Sequence, residues 1–146
     1  MTQEYRSASE AETENVAATL ASALKAGDIL LLSGELGAGK TAFVRGLARG
    51  LGIDPSEVSS PTFTILHEYH GGRLVLYHAD LYRLGARADV DEIGLEEAGA
   101  RDGVLAIEWP ERLPRALPGA IHVQVGIEHD DARRIVVDGS AGYSSR

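Results

Sequence analysis

Cysteine is absent from these 146 residues. No disulfide framework and no thiolate metal site can be built, which suits a reducing, cytosolic setting. Long apolar runs are missing too. None approaches the roughly 18 residues that a membrane-spanning helix needs. The N-terminal stretch MTQEYRSASEAETENVA is polar and acidic, without the profile of a secretory signal. Positive charge is also in short supply: 14 Lys and Arg stand against 22 Asp and Glu, a formal charge of -8 at pH 7. Contacts from basic side chains to phosphate supply most of the affinity for nucleic acid. The chain is therefore not expected to bind nucleic acid alone; if RNA is involved, a partner holds it. No repeat, low-complexity tract or internal linker interrupts the chain. Its length fits one domain over 1–146, with a polar tail over about 139–146. Such a domain buries roughly two-thirds of its unfolded surface.

Against these absences stands one glycine-dense stretch, GELGAGKTAF, from Gly34 to Phe43. Upstream, DILLLSG has the length and apolarity of a buried strand. Downstream, Phe43, Val44, Leu47 and Leu51 recur at helical spacing. The spacing Gly34-x4-Gly39-Lys40-Thr41 is that of a phosphate-binding loop. Glycine lets successive backbone N–H groups turn inward around a phosphate where a Cβ would obstruct. The following helix N-terminus adds partial positive charge. Lys40 is placed to reach the β- and γ-phosphates, and the Thr41 hydroxyl to ligate Mg²⁺. A glycine turn with a chance Lys-Thr would lack the flanking strand and helix. The expected ligand is a nucleoside triphosphate.

The remaining segments fill in a fold. EYRSAS is a short strand; Ser9, with Glu12 three residues on, caps a helix carrying Val16, Leu20 and Leu24, which Gly27 is expected to end. GIDPSEVSSPTF reads as a loop. TFTILHEYHGGRLVLYHADLYRL reads as a hairpin across Gly71-Gly72. DVDEIGLEEAGA is a weak acidic helix, and GVLAIEWP a buried strand ended by Pro110. IHVQVGIEH and RRIVVDG form a second hairpin. Strands separated by helices predict an α/β fold: a three-layer sandwich of the P-loop NTPase type, its central sheet mostly parallel with antiparallel hairpin additions.

Such a site also needs a carboxylate for Mg²⁺ and a group to position the attacking water. Two strands end in acids, at Asp80 and Glu108. In a mostly parallel sheet, ligands sit at the carboxyl ends of the strands. Pattern alone leaves open which acid is closer to the metal, and either could instead cap a helix. Glu92, Glu96 and Glu97 read as a solvated helix face. His67, His70 and His78 have no thiolate or HExxH spacing, so a dedicated transition-metal site is not expected. Trp109, the single tryptophan, follows Glu108 and is expected near the nucleotide.

Taken together, LSGELGAGKTAFVRGLARGLG, SSPTFTILHEY, LYHADLYRL and AIEWPERLP resemble the TsaE family, over about residues 5 to 138. The pathway follows from this resemblance and not from composition or periodicity. It implies an ATPase of bacterial tRNA threonylcarbamoyladenosine biosynthesis, using ATP and Mg²⁺. The implied partner is a TsaB–TsaD complex that modifies adenosine 37 of tRNAs reading ANN codons, reset between turnovers by ATP hydrolysis. By the same resemblance Glu35, Leu36, Gly37, Ala38, Gly39, Lys40 and Thr41 make the phosphate cradle, and Thr41 and Glu108 ligate Mg²⁺. Asp80 becomes an acid essential to hydrolysis alongside Lys40. Ser60, Pro61 and Thr62 become a switch-like loop, with Thr62 sensing the γ-phosphate. Trp109 lies near the nucleotide. Arg133 matches an arginine beside it, a place that Arg134 would take on a one-residue slip. The sequence departs from the family at Ala79, where a larger apolar residue is usual, and it stops soon after the last strand.

Two other readings use the same loop. A small-molecule kinase would need an acceptor site and an arginine-bearing lid, and no long insertion follows the later helices. A switch that binds ATP without hydrolysing it would need no catalytic acid, and Asp80 and Glu108 argue against it.

Overall fold

The structure is a computed structural model and describes residues 2–35, 37–58, 66–81, 102–110, 117 and 119–139. The chain enters through strand β1 (Thr2–Ser7) and turns into helix α1 (Glu10–Ala21). Ser9 caps α1, its Oγ accepting from the Glu12 N–H at 3.2 Å, while the Glu12 carboxylate accepts from the Ala8 N–H at 2.9 Å. This is the expected capping box, its return bond shifted one residue outward. Behind it Ser7 Oγ donates to the Ser9 carbonyl, so the buried 2.7 Å contact between Ser7 and Thr13 is donated by Thr13.

Helix α1 does not run to Gly27. It stops at Ala21, with Ser22 as its C-cap. Its last carbonyl and one just beyond it find a distant partner: Arg73 donates to Ala21 O at 2.7 Å and to Leu24 O at 3.0 Å. Gly27 instead makes the turn into the sheet at φ 95°, its N–H donating to Gly103 O.

Strand β2 (Ile29–Ser33) leads through the glycine loop into α2 (Lys40–Leu51), and a 3₁₀ turn follows at Pro55–Glu57. Next come β3 (Leu66–Tyr69), β4 (Val75–Asp80), β5 (Gly103–Glu108), β6 (Ile121–His129) and β7 (Ala132–Asp138). All seven join one sheet in the order β1-β7-β6-β2-β5-β4-β3. The four neighbours β6, β2, β5 and β4 are mutually parallel; β3 and β7 add antiparallel strands, as the two expected hairpins require, and β1 closes the far edge against β7. The continuous apolar runs of β2 and β5 are what a parallel strand covered on both faces needs.

Side chains alternate across the sheet. Leu30, Leu32, Leu76, Val104 and Ala106 face α1 and α2, and join Phe43, Val44 and Leu47 in the main core. Leu31, Tyr77, Ala79, Leu105 and Ile107 form a second apolar cluster on the opposite face. The acidic helix expected over DVDEIGLEEAGA lies outside the described residues, as does the tail from 140. The two described helices pack closely because α2 offers glycine where α1 offers alanine. A Cβ at Gly46 would stand 2.3 Å from the Glu14 carbonyl oxygen, and one at Gly50 2.6 Å from that of Ala18.

The chain leaves β2 toward β4 and β5 on one side and reaches β6 on the other. That reversal of strand order opens a crevice at the carboxyl edge of β2, where an open α/β sheet takes its ligands.

Candidate functional site

The glycine loop is built by its crowding. At Gly34 (φ 151°) a Cβ would lie 2.4 Å from Val125 O on β6, so no other residue fits without moving the strand. Gly37 and Gly39 follow at φ 80° and 108°. Gly39 is the N-cap of α2 and has no side chain to bond its first-turn N–H groups. An anion there meets no competing cap, and the helix dipole favours it.

Lys40 opens α2, yet only 5% of it is exposed. Its Nζ donates to Gly34 O at 2.7 Å and lies 3.5 Å from the centroid of the Trp109 ring. The ammonium thus folds back over the loop under an indole face, a cation–π contact worth about 0.5–2 kcal/mol. Trp109 reaches it through an unusual backbone: φ is 62° directly after β5 ends at Glu108. A left-handed tryptophan costs roughly 1–2 kcal/mol, and this strain sits where a site is expected to hold it.

The two carboxylates end adjacent strands. Asp80 and Glu108 are register partners in the parallel β4–β5 pair, and Leu81 N–H donates to Glu108 O at 3.1 Å. Asp80 is half-buried; Glu108 is 3% exposed. The Glu108 carboxylate is met by a histidine, since His78 Nε2 is 2.6 Å from its Oε2 and is itself fully buried. On the far side of that ring, the Tyr69 hydroxyl is 3.4 Å from His78 Nδ1, and His67 Nδ1 lies 3.3 Å from the same hydroxyl. Burial pushes the His67 imidazole below its ordinary value, and neighbouring His78 adds to the shift.

The loop is braced from β7. Arg133 donates through Nε to Ala38 O at 2.8 Å and through Nη2 to Gly37 O at 3.3 Å, while Nη1 reaches Asp130 O and Ala132 O. Arg134 points the other way and pairs with Glu4 at the exposed edge. It is Arg133, then, that stands at the loop.

Glu35, Gly37, Ala38, Gly39, Lys40, Thr41, Trp109 and Arg133 therefore come together at the carboxyl edge, with Asp80 and Glu108 at neighbouring strand ends. Thr41 is half-buried in the first turn of α2. Leu36, Ser60, Pro61 and Thr62 lie outside the described residues. Among the described residues no group of three or more His, Asp or Glu side chains converges on a metal position. Nor is any described helix long and apolar enough to cross a membrane.

Sequence reasoning missed the partner of Glu108. The histidines were weighed only as ligands of a transition metal. His78 sits two residues before Asp80 and pairs in register with Ala106, two before Glu108. Strand periodicity alone places His78 on the face that both acids share. What remained hidden was that β4 and β5 are neighbours.

A strand, glycine loop and helix set in a parallel sheet, with acids at adjacent strand ends, define an α/β protein of P-loop-like fold. Residues 7–136 match the family described as Threonylcarbamoyl adenosine biosynthesis protein TsaE. Over 115 residues the chain is 47% identical to the tRNA threonylcarbamoyladenosine biosynthesis protein TsaE of Treponema pallidum, covering 78% of this chain and 84% of that one. Against the protein of the same name from Bacillus subtilis it is 42% identical over 133 residues, 90% of this chain and 82% of that one. A crystal structure described as Bacillus subtilis YdiB superposes with a TM-score of 0.77 at 34% identity, covering 99% of this chain and 90% of that one. The chain belongs to the TsaE family of tRNA threonylcarbamoyladenosine biosynthesis.

Proposed function

We propose that the chain is a Mg²⁺-dependent ATPase of the cytoplasm. It would serve a TsaB–TsaD complex that forms threonylcarbamoyladenosine at position 37 of tRNAs reading ANN codons. The observation that carries this reading is Lys40 folded over the glycine loop beneath Trp109, at the same sheet edge as the acids that end β4 and β5. The residues fit the cation. The Thr41 hydroxyl and the carboxylates are hard oxygen donors of the kind Mg²⁺ takes. One Glu108 oxygen is engaged by His78, which leaves Oε1 for a metal.

In this reading the loop N–H groups and the α2 N-terminus hold the β- and γ-phosphates. Lys40 exchanges its bond to Gly34 O for a phosphate oxygen, moving only the end of its side chain. Thr41 and Glu108 would hold Mg²⁺, which would offset the charge on the β- and γ-phosphates. Asp80 orients a water in line with the γ-phosphorus and accepts its proton as the bond to the ADP oxygen breaks, giving ADP and phosphate. Trp109 covers Lys40 and keeps water from it. Among the described arginines Arg133 is spent on the loop carbonyls, and Arg6, Arg45, Arg49, Arg73 and Arg134 bond elsewhere. A group or ordered loop supplied by a partner can be worth about 10³–10⁵ in rate. SSPTFT, with Thr62, is the segment such a partner would order.

Phosphate release from Mg·ATP, measured with and without a TsaB–TsaD pair, tests this. Slow release alone and marked stimulation by the pair are expected. Thr62→Ala should keep ATP binding and lose most of the stimulated rate. In cells lacking the protein, threonylcarbamoyladenosine in tRNA should fall, and Lys40→Ala should not restore it. ATP binding with no phosphate release under either condition would make the protein a binding switch. ADP formed without free phosphate would make it a kinase.

A further inference from the structure

We propose that His78 is a positioning residue for Glu108, held in one tautomer by Tyr69, so that Glu108 presents Oε1 to the cation. This rests on the reading above, in which Glu108 is a ligand of Mg²⁺.

An ionised carboxylate only accepts hydrogen bonds. The 2.6 Å contact therefore requires a proton on His78 Nε2. In the neutral ring Nδ1 is then an acceptor, and among the described residues its partner is the Tyr69 hydroxyl, at 3.4 Å. If Tyr69 donates there, its oxygen is left to accept from His67 Nδ1 at 3.3 Å. Every group in the row His67, Tyr69, His78, Glu108 can thus donate to the next, and the row ends on the carboxylate. With neutral imidazoles and an ionised carboxylate, reversing any single step leaves a hydrogen facing a hydrogen or two acceptors facing each other.

The burial fits a built device. His78 is fully buried and Glu108 and Tyr69 nearly so. No buried side-chain nitrogen or oxygen among the described residues lacks a partner. A buried carboxylate left without its donor is strongly unfavourable, so packing a histidine against it has a purpose beyond filling space. With Oε2 fixed, rotation of the carboxylate about χ3 is stopped, and Oε1 keeps one direction. Outer partners of this kind typically change metal affinity by 10–100-fold when removed.

The test is calorimetric titration of a non-hydrolysable ATP analogue with Mg²⁺ and with EDTA, paired with Mn²⁺ electron paramagnetic resonance of the loaded site. His78→Leu should lose 10–100-fold of the metal-dependent gain in affinity while keeping affinity in EDTA. It should also broaden the Mn²⁺ signal. His78→Gln, which returns an N–H near the Nε2 position, should recover most of the gain. Tyr69→Phe keeps the ring and loses only the hydroxyl, so it tests the row even if His78→Leu fails to fold; a several-fold loss in the same direction is expected. Loss of affinity equally with Mg²⁺ and with EDTA, or no difference between Gln and Leu, would overturn the proposal. An unaltered metal gain in both folded His78→Leu and Tyr69→Phe would do the same. Wild type and Glu108→Gln separate the two levels. If wild-type affinity does not depend on metal, or Glu108→Gln leaves that dependence intact, the metal reading itself fails. If both behave as expected and the His78 and Tyr69 variants do not, only the positioning role fails.

Discussion

Replacing Arg133 with alanine should loosen the glycine loop before any ligand arrives. The guanidinium reaches the loop by two bonds, 2.8 Å to Ala38 O and 3.3 Å to Gly37 O, and is anchored to the β6–β7 turn at Asp130 O and to Ala132 O by two more. A hydrogen bond from a charged donor is worth about 1.5–3 kcal/mol. Arg133 is only half-buried, so water can replace part of what is lost, and the second loop bond is long. The lower end applies, about 1.5 kcal/mol. Because a phosphate binds the ordered loop, that cost enters the binding equilibrium and weakens affinity by about tenfold. Arg133→Lys keeps the charge, but one ammonium cannot span two loop carbonyls and hold β7 as well. It should recover less than half of the loss. Arg134→Ala is the control: its exposed pair with Glu4 is worth about 0–1 kcal/mol and does not touch the loop. Calorimetric titration with a Mg²⁺-loaded ATP analogue measures the affinities, and amide exchange over residues 37–40 of the unliganded protein reports the loop. Affinity of Arg133→Ala within twofold of wild type, or a matching loss in Arg134→Ala, would refute the bracing role.

Gly46→Ala should destabilise by roughly 1–3 kcal/mol through overpacking, even though alanine is the better helix former, because its Cβ would meet the Glu14 carbonyl at 2.3 Å. Thermal or urea unfolding checks this, and a stabilised variant would show that α1 and α2 separate at no cost. Trp109 fluorescence should change when Mg·ATP takes the Lys40 ammonium from Gly34 O beneath the indole, and Asp80→Asn should retain the change. A flat titration with binding confirmed by calorimetry would remove Trp109 from the site. The fold holds His67 below its ordinary pKa of about 6.5. The folded state therefore binds fewer protons than the unfolded one, and this contribution to stability is lost as pH falls from 6.5 toward the lowered value. His67→Gln should flatten that part of the stability–pH curve, read as denaturation midpoints at pH 5.5 and 7.5; parallel curves for the two proteins would contradict the shift.

Much of the frame was legible in the chain because its causes are local. The cap at Ser9, the turn at Gly71-Gly72, the apolar run of β2 and the glycine spacing before Lys40 each act over a few residues, and all recur in the structure. The identity of the loop residues and of the strand-end acids was likewise set by spacing. What the chain did not disclose depends on contacts between distant residues. Beyond the early end of helix α1, the carbonyls of Ala21 and Leu24 are taken by Arg73, about 50 positions away. His78 meets Glu108 across 30 residues and Arg133 meets Ala38 across 95. The choice between Arg133 and Arg134 turned on which face of β7 each occupies, a difference of one residue in a period of two. Local propensity cannot set such pairings, because strand order decides them, and strand order is settled only when the apolar faces of β2, β4, β5 and β6 are buried together.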